Sequence, residues 1–162
     1  MKTDLEPEEL ADLIAGYALD KKAADVTILD LRGVAGYTDF FVVASGNTDR
    51  QAKAIHDGVS EGLRKEHQLL PRRVEGVQEG KWILMDYLDV VLHAFTPDTR
   101  EHYRLEQLWG DVPKRTLAAG PDGTVTTTES GGRERAEAED DEVWTDGSED
   151  DEPVNEEPVA GE

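Results

Sequence analysis

The apolar positions along the chain change period several times, and each change marks an element. In PEELADLIAGYALDKKA, Leu10, Leu13, Ile14, Tyr17 and Ala18 recur at spacings of three and four, the signature of one helical face. Thr3 and Glu6 stand at capping-box spacing ahead of Pro7, which a first helical turn tolerates. The segments DVTILDL and DFFVVASG, on either side of a turn region at 33–37, are short, rich in β-branched residues and bounded by charge, and read as strands. Thr48 and Gln51 repeat the capping-box spacing before DRQAKAIHDGVSEGLRKEH, where Ala52, Ile55, Val59 and Leu63 make an apolar stripe. After Pro71 come a short strand around RRVEG and then KWILMDYL and DVVLHAFT, so close together that a hairpin joins them. Pro97 opens a third helix, PDTREHYRLEQLW, anchored by Tyr103, Leu105, Leu108 and Trp109. Helices interleaved with single strands and hairpins predict an α/β fold: one mixed sheet of about five strands with three helices packed on it, rather than a doubly wound parallel sheet.

Charge then divides the chain. The full 162 residues carry a formal net charge of −20, which excludes a general nucleic-acid binder, because such affinity comes from Lys and Arg neutralising phosphates. Residues 1–115 hold 15 Lys plus Arg against 21 Asp plus Glu, whereas residues 116–162 hold 2 against 16. Leu, Ile, Val and Phe number only five in that second part, too few to offset the entropy of ordering it. The expectation is a folded domain over 1–115 followed by a disordered acidic tail over 116–162, with Trp144 isolated between its charge runs. The chain has no cysteine, and its first residues carry acidic charge and no apolar run; together with the lack of any long apolar stretch this predicts a cytoplasmic protein.

The candidate chemistry is sparse. His56 and His67 lie eleven apart on one helix and His93 sits in a strand, so no ligand spacing for a metal is formed and neither a metal nor a cofactor is expected. The alternation of DVVLHAFT puts His93 on one face with Val91 and Phe95, where a hydrogen-bonded, half-buried histidine is a better reading than a base without a nucleophile. Asp86 and Asp89 flank a turn, a spacing that does not aim two carboxylates the same way for a divalent cation. The Ser45 to Thr48 turn lacks the lysine of a phosphate loop. In KWILMDYL, Trp82, Leu84 and Asp86 share one face and Ile83, Met85 and Tyr87 the other. With few helices for the sheet, one of these sets is left at the surface as an apolar binding patch.

Four strings, LDKKAADVTILDL, TDFFVVASGNTDRQAKAI, EGKWILMDYLDVVLHAF and REHYRLEQLW, run in order from about Leu10 to Asp111 and closely resemble the ribosomal silencing factor, or Iojap, family. The resemblance implies a mixed α/β domain with a nucleotidyltransferase-like shape but no catalytic carboxylates, and so no enzyme. It implies binding to the large ribosomal subunit through its protein fourteen, at the face that meets the small subunit, so that subunit joining is blocked and translation is repressed when nutrients are short. By position in the family's motif, Trp82, Met85, Tyr87, Leu88 and Asp89 are the expected partner contacts, while Asp39, Arg50 and Gln51 match positions equally explained by the strand-to-helix turn. Two alternatives remain open from the residues alone: a nucleotide-dependent transferase using Asp86 and Asp89, and a homodimeric scaffold that turns the sheet patch on itself.

Overall fold

A computed structural model describes residues 5–131. Helix α1 (Pro7–Asp20) begins where Glu9 turns back to accept the Glu6 N–H at 3.1 Å. The capping box therefore sits three residues later than the spacing of Thr3 and Glu6 suggests, and Thr3 lies outside the described residues. Strands β1 (Ala24–Asp30) and β2 (Phe40–Ser45) form an antiparallel pair. Helix α2 (Asp49–His67) starts with the Gln51 N–H donating to Thr48 Oγ1 at 3.1 Å, as its capping spacing predicts. Three further strands follow: β3 (Arg73–Glu75), β4 (Trp82–Asp86) and β5 (Val90–Phe95).

The third helical segment is broken. Arg104 adopts φ 49° between α3 (Pro97–Tyr103) and the short α4 (Leu105–Leu108). The break turns Leu105 and Trp109 inward onto the sheet. Arg100, near the end of α3, ties the segment down by donating from Nη1 to Ser45 Oγ at 2.7 Å and pairing with Glu106.

The sheet has seven strands rather than five, in the order β3-β4-β5-β2-β1-β6-β7, and only the central β2–β5 pair is parallel. The two extra strands, β6 (Lys114–Ala119) and β7 (Val125–Ser130), form a hairpin that runs across and past the boundary drawn at Arg115. Ordered structure thus continues through Ser130, and the segment expected to be a tail from residue 116 contributes two strands. β6 earns its place by pairing with β1, with Val26 opposite Leu117 and Ile28 opposite Arg115. The remainder of the predicted tail, including Trp144, lies outside the described residues.

All six residues of β2 and of β5 are buried, because these strands are covered on both faces and their alternate residues enter different cores. The first core lies under α1 and α2, where Ile14, Ile55 and Leu63 meet Phe40, Val42, Ile83, Met85 and Leu92. The helices approach closely at Gly62, where a Cβ would come within 2.4 Å of the Tyr17 ring. The second core is smaller: Leu29, Phe41, Val43, Val91 and Phe95, with Leu105 and Trp109 folded over part of it.

Candidate functional site

Strand β4 carries the residues picked out by the sequence, and its alternation sends them to opposite sides. Ile83 and Met85 are fully buried in the first core, and Tyr87 joins them at 5 % exposure. Burial raises the Tyr87 phenol well above its ordinary pKa, so it is neutral at every physiological pH. Met85 and Tyr87 therefore do not present side chains to a partner: their expected role as contacts is corrected to that of supports beneath β4. Trp82 and Leu84, on the opposite face, are half-exposed, and Leu88 and Asp89 are exposed at the tip of the β4–β5 hairpin.

Around Trp82 the second face is paved with rings. Its indole lies 4.9 Å from Phe95 and 4.6 Å from Tyr103 of α3, centroid to centroid, and Phe41 packs edge-on against His93 at 4.5 Å. Trp82 Nε1–H donates to His93 Nδ1 at 3.1 Å. That bond fixes the tautomer of the neutral ring: Nδ1 accepts, so the hydrogen is on Nε2, a buried atom with no hydrogen-bond partner. Burial pushes the imidazole pKa down to about 4, and His93 is uncharged at neutral pH. It is 4 % exposed, more deeply set than the half-buried histidine expected, and its role is to orient Trp82. Tyr37 and Tyr103, whose rings pack against Phe41 and Trp82, are themselves exposed to solvent.

The hairpin tip is exposed and its backbone strained. Leu88 has φ 80°, a conformation rare for a non-glycine residue, and the Asp89 N–H donates to the Tyr87 carbonyl at 3.0 Å to close a γ-turn around it. Asp86, itself buried, holds the turn by accepting the Leu88 N–H at 2.8 Å, and Arg72 pairs with the same carboxylate at 3.3 Å. The carbonyl of Asp89 in turn accepts the N–H groups of Asp39 and Phe40 at 2.9 and 3.1 Å, which sets two acidic residues beside the exposed Leu88. Strain of this kind costs of order 1–3 kcal/mol and persists where the surroundings over-determine it. Sequence reading had no signal for it, since Leu88 is an ordinary apolar residue in a hairpin.

The same contacts weaken the transferase alternative. The Asp86 carboxylate is spent on the turn and Arg72, and Asp89 is exposed at the tip. At the 45–48 turn, Ser45 Oγ is taken by Arg100 and the Asn47 N–H by Gln51 Oε1 at 2.8 Å. Gly46 is there for space: a Cβ would sit 2.6 Å from the Ala52 nitrogen. Gln51 also donates to the Lys21 and Lys22 carbonyls, so it locks the start of α2 to the end of α1. No group of three or more His, Cys, Asp or Glu among the described residues is placed to hold a metal ion.

The chain is similar to known proteins in both sequence and fold. A family profile described as "Ribosomal silencing factor during starvation" matches residues 4–149. A ribosomal silencing factor of Bacillus subtilis is 34 % identical over 116 residues, covering 72 % of this chain and 98 % of that protein. One from Halalkalibacterium halodurans is 38 % identical over 106 residues, covering 65 % and 90 %. A crystal structure of a Chromobacterium violaceum protein superposes with a TM-score of 0.63 at 32 % identity, covering 65 % of this chain and 88 % of that one. With a profile match across most of its length and relatives aligned nearly end to end, the chain belongs to the ribosomal silencing factor family.

Proposed function

We propose that this protein silences ribosomes by docking on the large subunit through its protein fourteen and covering the face that meets the small subunit. As a member of a family of ribosomal silencing factors it is a regulator of translation. The observation that carries the docking reading is the partly open aromatic face around Trp82 at one end of β4 together with the hairpin tip at the other end, which thrusts Leu88, 49 % exposed, toward solvent. Trp82 and Leu88 supply apolar anchors of the type that dominates interface energy. Asp89 and Asp39 beside Leu88 suit a basic ribosomal protein, speeding encounter and discouraging wrong partners. Met85 and Tyr87 act from below, holding β4 and the turn in place.

Blocking follows from sterics alone: a domain seated on that face occupies the volume the small subunit needs. Co-sedimentation of the full chain with isolated large subunits is the test. Binding at moderate salt that falls about tenfold or more in Trp82→Ala and Leu88→Ala, two anchor-type truncations, is expected. Failure of the unmodified protein to co-sediment would sink the reading. Light scattering of mixed subunits then reads the block itself, as a drop in the joined fraction when the protein is added.

A further inference from the structure

The two edges of the sheet are treated differently. At one edge, β3 is only three residues long, follows Pro71, and carries Arg73 and Glu75, the short, charged and proline-flanked design that discourages strand addition. At the other edge, β7 runs six residues, VTTTES, all exposed, with neither proline nor a cationic side chain. Its pairing with β6 fixes which backbone groups are free. Gly120 N–H donates to the Thr124 carbonyl, so in the alternating antiparallel pattern Thr126, Thr128 and Ser130 bond inward to Ala118, Thr116 and Lys114. The N–H and C=O groups of Val125, Thr127 and Glu129 therefore point away from the sheet, and among the described residues no strand pairs with them.

The surroundings of that edge are acidic. A cleft of about 810 Å³ between α1 and the β6–β7 hairpin is lined by Asp12, Asp20, Asp25 and Glu66 and by one lysine, Lys22. Asp12 is paired with Arg115; Asp122 and Glu129 add charge on the hairpin itself. We infer that the β7 edge is a second docking surface, which takes an extended, cationic protein segment as an eighth strand. Backbone pairing supplies the affinity of such strand addition and the side chains its selectivity. Lysines or arginines alternating along the added strand would meet the acidic cleft on one side. A second copy of this chain fits the edge less well, because each carries a net charge of −20, and nucleic acid is repelled by the same charge.

The experiment uses the full chain and a fluorescent peptide alternating lysine and valine, followed by anisotropy and by backbone amide exchange. Saturable binding with slowed exchange at the amides of Val125, Thr127 and Glu129 is expected. Thr127→Pro removes one outward donor without touching the ladder to β6, and should weaken binding about tenfold. Thr127→Lys, which keeps the donor but adds a guarding charge, should weaken it as well and serves if the proline variant is poorly folded. Binding without protection of those three amides, meaning attraction to acidic charge elsewhere, overturns the inference. So does protection of the same amides in the protein alone together with a dimer mass by light scattering, which would give the edge to a second copy.

Discussion

On one side of β4, Ile83 and Met85, with Tyr87 just beyond the strand, lie beneath α1 and α2 with at most 5 % of their surface exposed; on the other side of the same strand, Trp82 and Leu84 are only partly buried. The difference comes from what each face is given to pack against. Two long helices close the first face, whereas the second has only the broken α3–α4 segment and Trp109 folded over its middle. A single five-residue strand thus serves as core on one side and as partly exposed surface on the other, and its stability comes chiefly from the side closed by the helices. The sharpest way to break this comparison is with neighbouring truncations. Ile83→Ala empties a fully packed site and should cost about 2–5 kcal/mol in urea unfolding. Leu84→Ala, half-exposed, should cost no more than about 1.5 kcal/mol, since less area leaves the core. Equal costs would mean that the second face is as tightly closed as the first.

The next largest effect is a pH dependence centred on the second face. The folded His93 has its pKa pushed down to about 4 by burial, against an ordinary value of 6.5. As pH falls through that interval the unfolded chain takes up the proton and the folded chain does not. His93 therefore leaves stability intact above pH 6.5 and removes it progressively down to about pH 4, by at most about 3 kcal/mol. Below that, protonation at Nδ1 also breaks the bond from Trp82. Melting temperatures measured from pH 7 to pH 4 should fall more steeply in the unmodified protein than in His93→Gln. Parallel curves would detach His93 from the acid response and leave carboxylates as its source.

Where apolar periodicity existed, the sequence was legible: α2 and the strands from β1 to β5 fall within a residue or two of their expected limits, and α1 ends three residues before its own. β6 and β7 were missed because β7 is exposed along its whole length and β6 buries only Leu117, so neither carries an apolar alternation, and the count of Leu, Ile, Val and Phe dismissed them. The signal that was available lay elsewhere, in a Pro-Asp-Gly turn at 121–123 followed by Val125 and three threonines. The kink at Arg104 had no signature, since a left-handed arginine is set by how Leu105 and Trp109 pack. For the site, alternation correctly separated Trp82 and Leu84 from Met85 and Tyr87, but only coordinates tell which set is roofed by helices. The acidic residue at 86, read as a candidate ligand, proved to be the clamp of a turn.

The smallest effect separates presentation from stability at the hairpin tip. Leu88 contributes nothing to either core, and its backbone at φ 80° is disfavoured for any residue with a side chain. Glycine there removes strain of order 1–3 kcal/mol but gives back about 0.5–1 kcal/mol through the freedom it adds to the unfolded chain. Leu88→Gly should therefore be more stable than the unmodified protein by about 1 kcal/mol, read as a higher urea midpoint with an unchanged slope. On the proposed docking surface the same change deletes an apolar anchor, so co-sedimentation with the large subunit should fall while stability rises. Asp86→Asn is the counterpart: the side chain of Leu88 is kept, but the charge that grips its N–H and Arg72 is lost, and both stability and binding should drop together. If Leu88→Gly gained stability and bound large subunits unchanged, the strained turn would be an accident of the hairpin, and the open face around Trp82 would have to carry docking by itself.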